Sequence, residues 1–188
     1  MVKYIRENDD MEMTDEEFDN FFDEYEVEFE VKKELPRILD NHKKWLESNG
    51  EEGKRADLRG ADLEGTNLEG ANLEKAYLKD VNLERAYLIK VNLKGAYLEG
   101  ANLKEAKFYR TFFTEANLKN ANLKEANGRG VNFEEADLEG ADLEGTNFSG
   151  LGLRGADLAR ANLKGSGITR DRADNLNAIY DESTIFDE

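Results

Sequence analysis

Few side chains of this chain could carry out catalysis or bind a metal ion. The 188 residues include no cysteine and one histidine, His42. Disulfides and thiolate metal sites are therefore excluded, and one histidine cannot build a His-based metal cluster or a supported Ser/His/Asp set. We predict that the protein is not an enzyme, that it has no catalytic, metal or cofactor-binding site, and that His42 has a packing role.

Two further polar patterns favour structure over chemistry. Glutamates alternate with apolar residues from Glu24 to Val31, which is typical of a strand with one solvated face rather than of a cation site. The second pattern lies in the middle of the chain, where Asp or Asn recurs every twenty residues. Their positions are Asp62, Asn82, Asn102, Asn122, Asp142 and Asn162. This row indicates ladder hydrogen bonding in a stacked β structure rather than catalytic carboxylates.

The charge of the chain is concentrated at its ends. The net charge is -16, to which residues 1–55 contribute -9, residues 171–188 contribute -5 and the middle contributes -2. The first residues contain no apolar stretch typical of a leader, and no window approaches the roughly 18 apolar residues of a membrane span. We therefore expect a soluble, cytoplasmic protein with no membrane contact.

The middle of the chain repeats every five residues. From Ala56 to Arg170, 23 consecutive pentapeptides fit without an insertion, and the central residue is Leu, Phe or Ile in 22 of them. A period of five gives neither an apolar face on an α-helix nor a constant face on a strand. It fits a very short strand with its first and third residues inward, followed by a corner at which glycine is frequent. Repetition of this unit predicts an all-β solenoid.

The repeat resembles the pentapeptide repeat family, whose consensus is A(D/N)LXX, in units such as "ADLEG" and "ANLEK". The resemblance covers residues 56–170 and implies a right-handed quadrilateral β-helix with four pentapeptides per coil, and hence about six coils. Gly128 supports the number of four pentapeptides per coil, because it is the one repeat centre without a side chain. With twenty residues per coil it lies between Phe108 and Phe148, whose rings are predicted to fill the empty volume.

The segments outside the repeat are predicted to cap its two ends. Residues 1–36 are interpreted as an acidic segment with a short helix and a strand, which pairs with residues 2–6 or with a coil edge. Residues 37–55 are predicted to form a capping helix and linker, and residues 171–188 a C-terminal cap. The residues predicted to cover the first and last coils are Ile38, Leu39, His42, Trp45 and Leu46, and Ile179, Tyr180 and Phe186, respectively.

One side of the predicted β-helix differs from the others. The stacks of pentapeptides that begin at residues 56, 61, 66 and 71 carry outward net charges of -2, -3, +4 and -1. The positive stack also places aromatic and apolar side chains outward, which is typical of a binding surface, although a random surface mixture is the alternative. The predicted partner-binding residues are Tyr87, Ile89, Lys90, Lys107, Tyr109, Arg110, Phe112 and Arg129. Tyr77 and Tyr97, on the opposite side, are predicted to form a structural stack.

These features predict a rigid scaffold that binds an unknown protein partner. The family resemblance implies one alternative, because some of its members are DNA mimics that inhibit DNA gyrase. A mimic needs negative charge along its shaft, whereas this shaft is nearly neutral with one positive side. Binding of nucleic acid by that side is a second alternative, which the net charge of -16 disfavours. The acidic N-terminal segment could also dock on the positive side, and the oligomeric state is left open.

From this charge distribution we expect the purified protein to leave DNA gyrase uninhibited. The measurement is a supercoiling assay on relaxed plasmid. Clear inhibition at low micromolar protein would contradict the prediction and favour the mimic.

Overall fold

The computed structural model of the protein describes residues 15–187, with side chains described from residue 31 onward. Its regular elements are helix α1 (Asp15–Glu47), strands β1 (Tyr87–Ile89), β2 (Lys107–Tyr109), β3 (Asn127–Arg129) and β4 (Asn147–Ser149), and helix α2 (Arg170–Asn175). The four strands form one parallel sheet in the order β1-β2-β3-β4.

Between α1 and α2 the chain winds into a four-faced β-helix in which residues twenty apart pair in parallel. The same register is repeated by isolated bridges and by the β1–β4 sheet. We number the faces by their first bridges, which for faces one to four are Asp57↔Tyr77, Asp62↔Asn82, Asn67↔Tyr87 and Asn72↔Asn92. The predicted twenty-residue coil is confirmed, and the number of coils, about six, stays a prediction.

Each pentapeptide packs its first and third side chains into a continuous interior. Ala101 and Leu103 are completely buried, as are the corresponding residues of most repeats. The backbone amides are satisfied between coils, for example by the 2.7 Å bond that Leu103 N donates to Asn122 O. The fifth residue turns the chain in a left-handed conformation, with φ values of 64° at Gly65 and 55° at Arg85. Glycine is frequent at this corner because it adopts positive φ without a steric penalty.

The interior around Gly128 is filled by aromatic rings from the neighbouring coils. Phe108 pairs with Gly128, and Gly128 pairs with Phe148, so the three residues form one column on face three. The centroids of the two rings lie 5.9 Å apart. Phe113 and Phe133 stack beside them at 4.8 Å. The predicted compensation for the missing side chain is therefore confirmed.

The Asp/Asn row of face two forms the predicted hydrogen-bonded ladder. Asn102 Nδ2 donates to Asn82 Oδ1 at 3.1 Å, and Asn122 Nδ2 donates to Asn102 Oδ1 at 3.2 Å. A second stretch begins where Asn162 Nδ2 donates to Asp142 Oδ1 at 3.1 Å. A carboxylate can accept but cannot donate a hydrogen bond, so Asp142 cannot continue the ladder to Asn122. The row has a structural role, as predicted.

Helix α1 covers the first coil. Leu35 is buried against the core, and Ile38 and Leu39 pack partly buried beside it. His42 is completely buried, and its Nδ1 accepts a 3.1 Å hydrogen bond from Ala56 N, the first residue of the repeat. The imidazole stacks on Trp45 with a centroid distance of 5.6 Å. The predicted cap and the packing role of His42 are confirmed.

The prediction of a strand upstream of this cap was wrong. Glu24 to Val31 lie within α1, which continues through Pro36 without a break, so the division of the chain between residues 36 and 37 was also wrong. Glutamate is a good helix former, and the spacing of Phe18, Phe22, Tyr25 and Phe29 fits a helix as well as the alternation of residues 24–31 fits a strand. The proposed partner of the strand at residues 2–6 lies outside the described residues.

Arg55, to which the sequence assigned no role, joins the cap to face one. Its guanidinium carbon lies 3.7 Å from the ring centroid of Tyr77, 5.1 Å from that of Tyr97 and 5.4 Å from that of Trp45. Its Nη1 donates to the Tyr77 hydroxyl at 2.8 Å. The centroids of Tyr77 and Tyr97 are 5.5 Å apart and their planes are inclined by 43°, so the two rings contact each other in adjacent coils, but in a tilted arrangement rather than the predicted stack. The only sequence signal for Arg55 was its position immediately before the first pentapeptide.

Replacing Arg55 with lysine is expected to lower the free energy of unfolding by about 1 kcal/mol, because lysine keeps the charge but loses the planar stacking and the directed hydrogen bonds. Trp45 is the single tryptophan, so its fluorescence during urea unfolding reports on this end of the shaft. Arg59→Lys is the matched control, since Arg59 is exposed, pairs with Asp57 and lies 5.6 Å from the Tyr77 centroid. Equal effects of the two substitutions would contradict the assignment.

The C-terminal segment closes the other end of the shaft, but not with all of the predicted residues. Tyr180 and Phe186 pack partly buried against the core, with ring centroids 5.0 Å apart. Ile179 is 57% exposed, so its predicted covering role was wrong. It pairs with Asp157 and thus takes the outward second position of the coil, while its neighbours Ala178 and Tyr180 turn inward.

Candidate protein-interaction face

Among the described residues, face three alone carries three-residue strands. The register of β1, β2 and β3 places Lys107 beside Tyr87, and Tyr109 between Ile89 and Arg129. Lys90 and Arg110 follow β1 and β2 at the corner toward face four, with φ values of 55° and 50°. The structure therefore brings seven of the eight predicted residues onto one face, which we call the basic face: Tyr87, Ile89, Lys90, Lys107, Tyr109, Arg110 and Arg129.

The eighth predicted residue, Phe112, lies around the corner on face four, where it pairs with Asn92 and Asn132. Its side chain is 47% exposed, in a second position that most repeats fill with Asn or Asp. Tyr87 and Tyr109 on the basic face are 40% and 38% exposed. Large apolar surfaces of this kind, surrounded by cations, resemble the anchor residues of protein interfaces.

Cations on the other three faces are paired with carboxylates, mostly one coil away. On face one, Lys119 Nζ lies 2.6 Å from Glu139, and on face two, Arg85 Nε lies 2.9 Å from Glu105. These contacts raise the pKa of Lys119 and of Arg85. On faces one, two and four, every Lys and Arg of the pentapeptides except Lys164 has such an ion pair. Their residues are Arg59, Lys75, Lys79, Arg85, Lys94, Lys104, Lys119, Lys124, Arg154 and Arg160.

Two cations of the basic face, Lys107 and Arg110, contact aromatic rings instead. Lys107 Nζ lies 4.7 Å from the Tyr87 centroid and 3.3 Å from its hydroxyl, and Arg110 Cζ lies 5.3 Å from the Tyr109 centroid. Within residues 31–187, none of Lys90, Lys107, Arg110 and Arg129 forms an ion pair with a described carboxylate. The reason is compositional, since the outward positions of this face hold one acidic residue, Glu69. The described residues therefore leave its positive charge uncompensated.

Arg170 was counted with the basic face in the sequence-based charge of +4, but it lies apart from it. It begins α2, and its Cζ lies 4.9 Å from the Phe186 centroid and 5.2 Å from that of Tyr180. The basic face proper thus consists of the β1–β3 region and its corner.

Two other kinds of site are absent from the described part of the chain. No group of three or more His, Cys, Asp or Glu side chains there is arranged to hold a metal ion. Likewise, no described helix is both long and apolar enough to cross a membrane.

The fold and this face define a β-helical shaft built from pentapeptides, with one exposed surface of uncompensated positive charge. The model of the pentapeptide repeat family matches eight copies, over residues 56–95, 82–120 and 113–150. These matches span half of the chain, which therefore belongs to the pentapeptide repeat family. Members of this family form right-handed quadrilateral β-helices, as expected from the sequence.

Several solved structures are similar to the chain, whereas no curated protein matches it. A pentapeptide repeat protein from the thylakoid lumen of Arabidopsis thaliana is 27% identical, over 64% of this chain and 74% of that one, with a TM-score of 0.42. HetL from the cyanobacterium Nostoc sp. strain PCC 7120, involved in heterocyst differentiation regulation, is 26% identical over 71% and 63%, with a TM-score of 0.33. A trypsin-treated QnrB1, a plasmid-mediated fluoroquinolone resistance protein, is 18% identical over 69% and 86%, with a TM-score of 0.37.

Proposed function

We propose that the protein is a non-enzymatic scaffold whose basic face, together with Phe112, binds a protein partner. The observation that carries this proposal is the contrast in ion pairing between the faces. Lys79 and Lys119 on face one have carboxylates at 3.1 and 2.6 Å, whereas Lys107 and Arg110 on the basic face lie against tyrosine side chains and pair with no described carboxylate. A partner that supplies the missing anionic and apolar contacts would gain affinity on this face alone.

The rigidity of the shaft supports the same function. The strands that carry Tyr87, Tyr109 and Arg129 are joined to one another by the parallel ladder and backed by the buried centres Leu88 and Phe108. Their outward side chains are thus presented at fixed coil spacings of about 4.8 Å. A preorganised surface loses little conformational entropy on binding, which favours specific docking.

The proposal is tested by affinity capture from the native host, comparing the wild-type protein with a Tyr109→Ala/Arg110→Ala variant. We expect at least one captured protein to be lost with this variant. A photo-crosslinking residue in place of Ile89 should label the same protein. The matched control is Lys94→Ala/Lys119→Ala, which removes two paired cations from faces four and one. An unchanged set of captured proteins in the face-three variant would contradict the proposal.

A further inference from the structure

The cations of the basic face stand on both sides of an apolar strip. The register places Ile89, Tyr109 and Arg129 in one column. Lys107 lies in the neighbouring column of second positions, and Arg110 lies on the other side at the corner. The apolar part of this column, Ile89 and Tyr109, spans one strand spacing, and Arg129 ends the column. The whole column from β1 to β3 is about 10 Å long, given the usual strand spacing, which corresponds to roughly three residues of extended chain or two turns of helix. The surface is therefore suited to a short segment with apolar side chains in the middle and anionic groups on both sides.

The surroundings of the strip distinguish between the two common kinds of anionic ligand. Faces two and four, which border the basic face, have net charges of -3 and -1, and the chain as a whole has a charge of -16. A nucleic acid carries its charge continuously, so its phosphates would extend from the basic face onto these acidic faces. A peptide can place its carboxylates only where the cations are. Local charge complementarity thus favours a protein segment.

We propose that the basic face binds an acidic peptide segment of a partner protein, in which carboxylates flank a short run of aliphatic or aromatic side chains. This inference rests on the proposed function and names the chemistry of the partner. The apolar side chains of the segment pack on Ile89 and Tyr109, and its carboxylates form the ion pairs with Lys107 and Arg110 that the shaft itself does not supply.

The experiment measures the binding of a fluorescein-labelled synthetic octapeptide in which two Glu stand on each side of four central Val and Phe residues, by fluorescence anisotropy with the full chain. We expect saturable binding that weakens at higher salt. Lys107→Glu/Arg110→Glu should raise the Kd about tenfold or more, as expected for two reversed contacts. The matched control, Lys79→Glu/Lys119→Glu, changes the net charge equally but should raise the Kd less than about threefold, since face one does not contact the peptide. Circular dichroism establishes that both variants are folded.

Two further probes decide between the sources of negative charge. A peptide with Gln in place of Glu, and a labelled pentathymidylate with four phosphates, should each bind at least about tenfold more weakly than the acidic peptide, because each lacks one half of the recognised pattern. Equal or tighter binding of the oligonucleotide would overturn the inference in favour of nucleic acid. Equal effects of Lys107→Glu/Arg110→Glu and Lys79→Glu/Lys119→Glu would also overturn the inference, because the binding would then depend only on long-range electrostatic attraction.

Self-association is a separate outcome of the same measurements. A salt-sensitive dimer in sedimentation, lost in Lys107→Glu/Arg110→Glu, would overturn the inference by identifying a second copy of the chain as the occupant. If the acidic peptide does not bind but the capture experiment still loses a protein with Tyr109→Ala/Arg110→Ala, the scaffold function stands and only the partner chemistry is wrong. If both experiments are negative, the interaction face itself is wrong.

Discussion

Replacing Gly128 with leucine, the residue most common at this position of the repeat, is expected to destabilise the shaft by about 3 kcal/mol. A Cβ added at Gly128 would lie 2.6 Å from the carbonyl oxygen of Phe108 and 2.7 Å from its Cβ. The first of these neighbours is backbone and cannot turn away. The space beyond is also occupied, because the rings of Phe108 and Phe148 approach each other to 5.9 Å above the glycine.

The neighbouring rings supply a partial rescue of this substitution. Phe108→Leu/Phe148→Leu in the presence of Gly128 should cost about 2 kcal/mol, since each substitution leaves part of a ring-sized volume empty. Adding Gly128→Leu to this double variant should cost less than the same substitution in the wild type. The leucine side chain beyond its Cβ then fills the vacated ring volume, whereas the close contact of that Cβ with the backbone at position 108 remains. The three residues are thus expected to be strongly coupled.

Urea unfolding of the three variants and the wild type, followed by circular dichroism, measures this coupling. A solenoid can unfold in parts, so the transition is also followed by Trp45 fluorescence, which reports on the N-terminal end. If Gly128→Leu lowers the free energy of unfolding equally in both backgrounds, the rings do not compensate for the glycine.

The second large effect concerns pH and arises at His42. Burial lowers the pKa of this imidazole, and the nearby Arg55 adds to the effect, whereas the Glu74 backbone and carboxylate oppose it. The neutral ring accepts the Ala56 amide hydrogen at Nδ1, and protonation of Nδ1 would abolish this acceptor. Its Nε2 is buried without a described hydrogen-bond partner, and the Glu74 backbone and carboxylate offset only part of the cost of burying the cation.

The sign of the pH dependence follows from the lowered pKa. Above the ordinary value of 6.5 His42 is neutral in both the folded and the unfolded chain, and it has no effect on stability. As the pH falls below 6.5, the unfolded chain binds a proton that the folded chain does not, so the free energy of unfolding decreases by at most about 1.4 kcal/mol per pH unit. The decrease ends below the folded pKa, where both states are protonated.

The measurement is Trp45 fluorescence during urea unfolding between pH 7 and pH 5. His42→Asn is the matched variant, because its amide oxygen can accept from Ala56 N but does not titrate in this range. We expect it to be less stable than the wild type at pH 7, through lost packing on Trp45, and to show no slope between pH 6.5 and 5. A wild type without this slope would contradict the assignment. Carboxylates such as Glu139, whose pKa is lowered first by Lys119 and then by Arg160, reduce stability only below their ordinary value of 4.5.

Most of the shaft could be predicted because its contacts recur at one fixed separation. Each residue of a coil meets residues twenty positions away, so the five-residue period encodes the register, the inward side chains and the column of Phe108, Gly128 and Phe148. The same spacing of twenty residues placed Tyr87, Lys107, Tyr109 and Arg129 on one surface. It could not show which cations are paired, since an ion pair depends on the side-chain conformations of two neighbouring coils.

The ends of the shaft, by contrast, were decided by tertiary structure. They have no period, so a stretch such as residues 24–31 fits both a strand and a helix, and the folded chain places it within the continuous helix α1. The contacts of Arg55 with Trp45 and Tyr77 join segments that no repeat relates. Sequence alone therefore determined the repeating architecture, because each coil is positioned by a neighbouring coil in the same twenty-residue register. Only the folded chain decided the caps and the uncompensated charge of the basic face, because these depend on contacts made once.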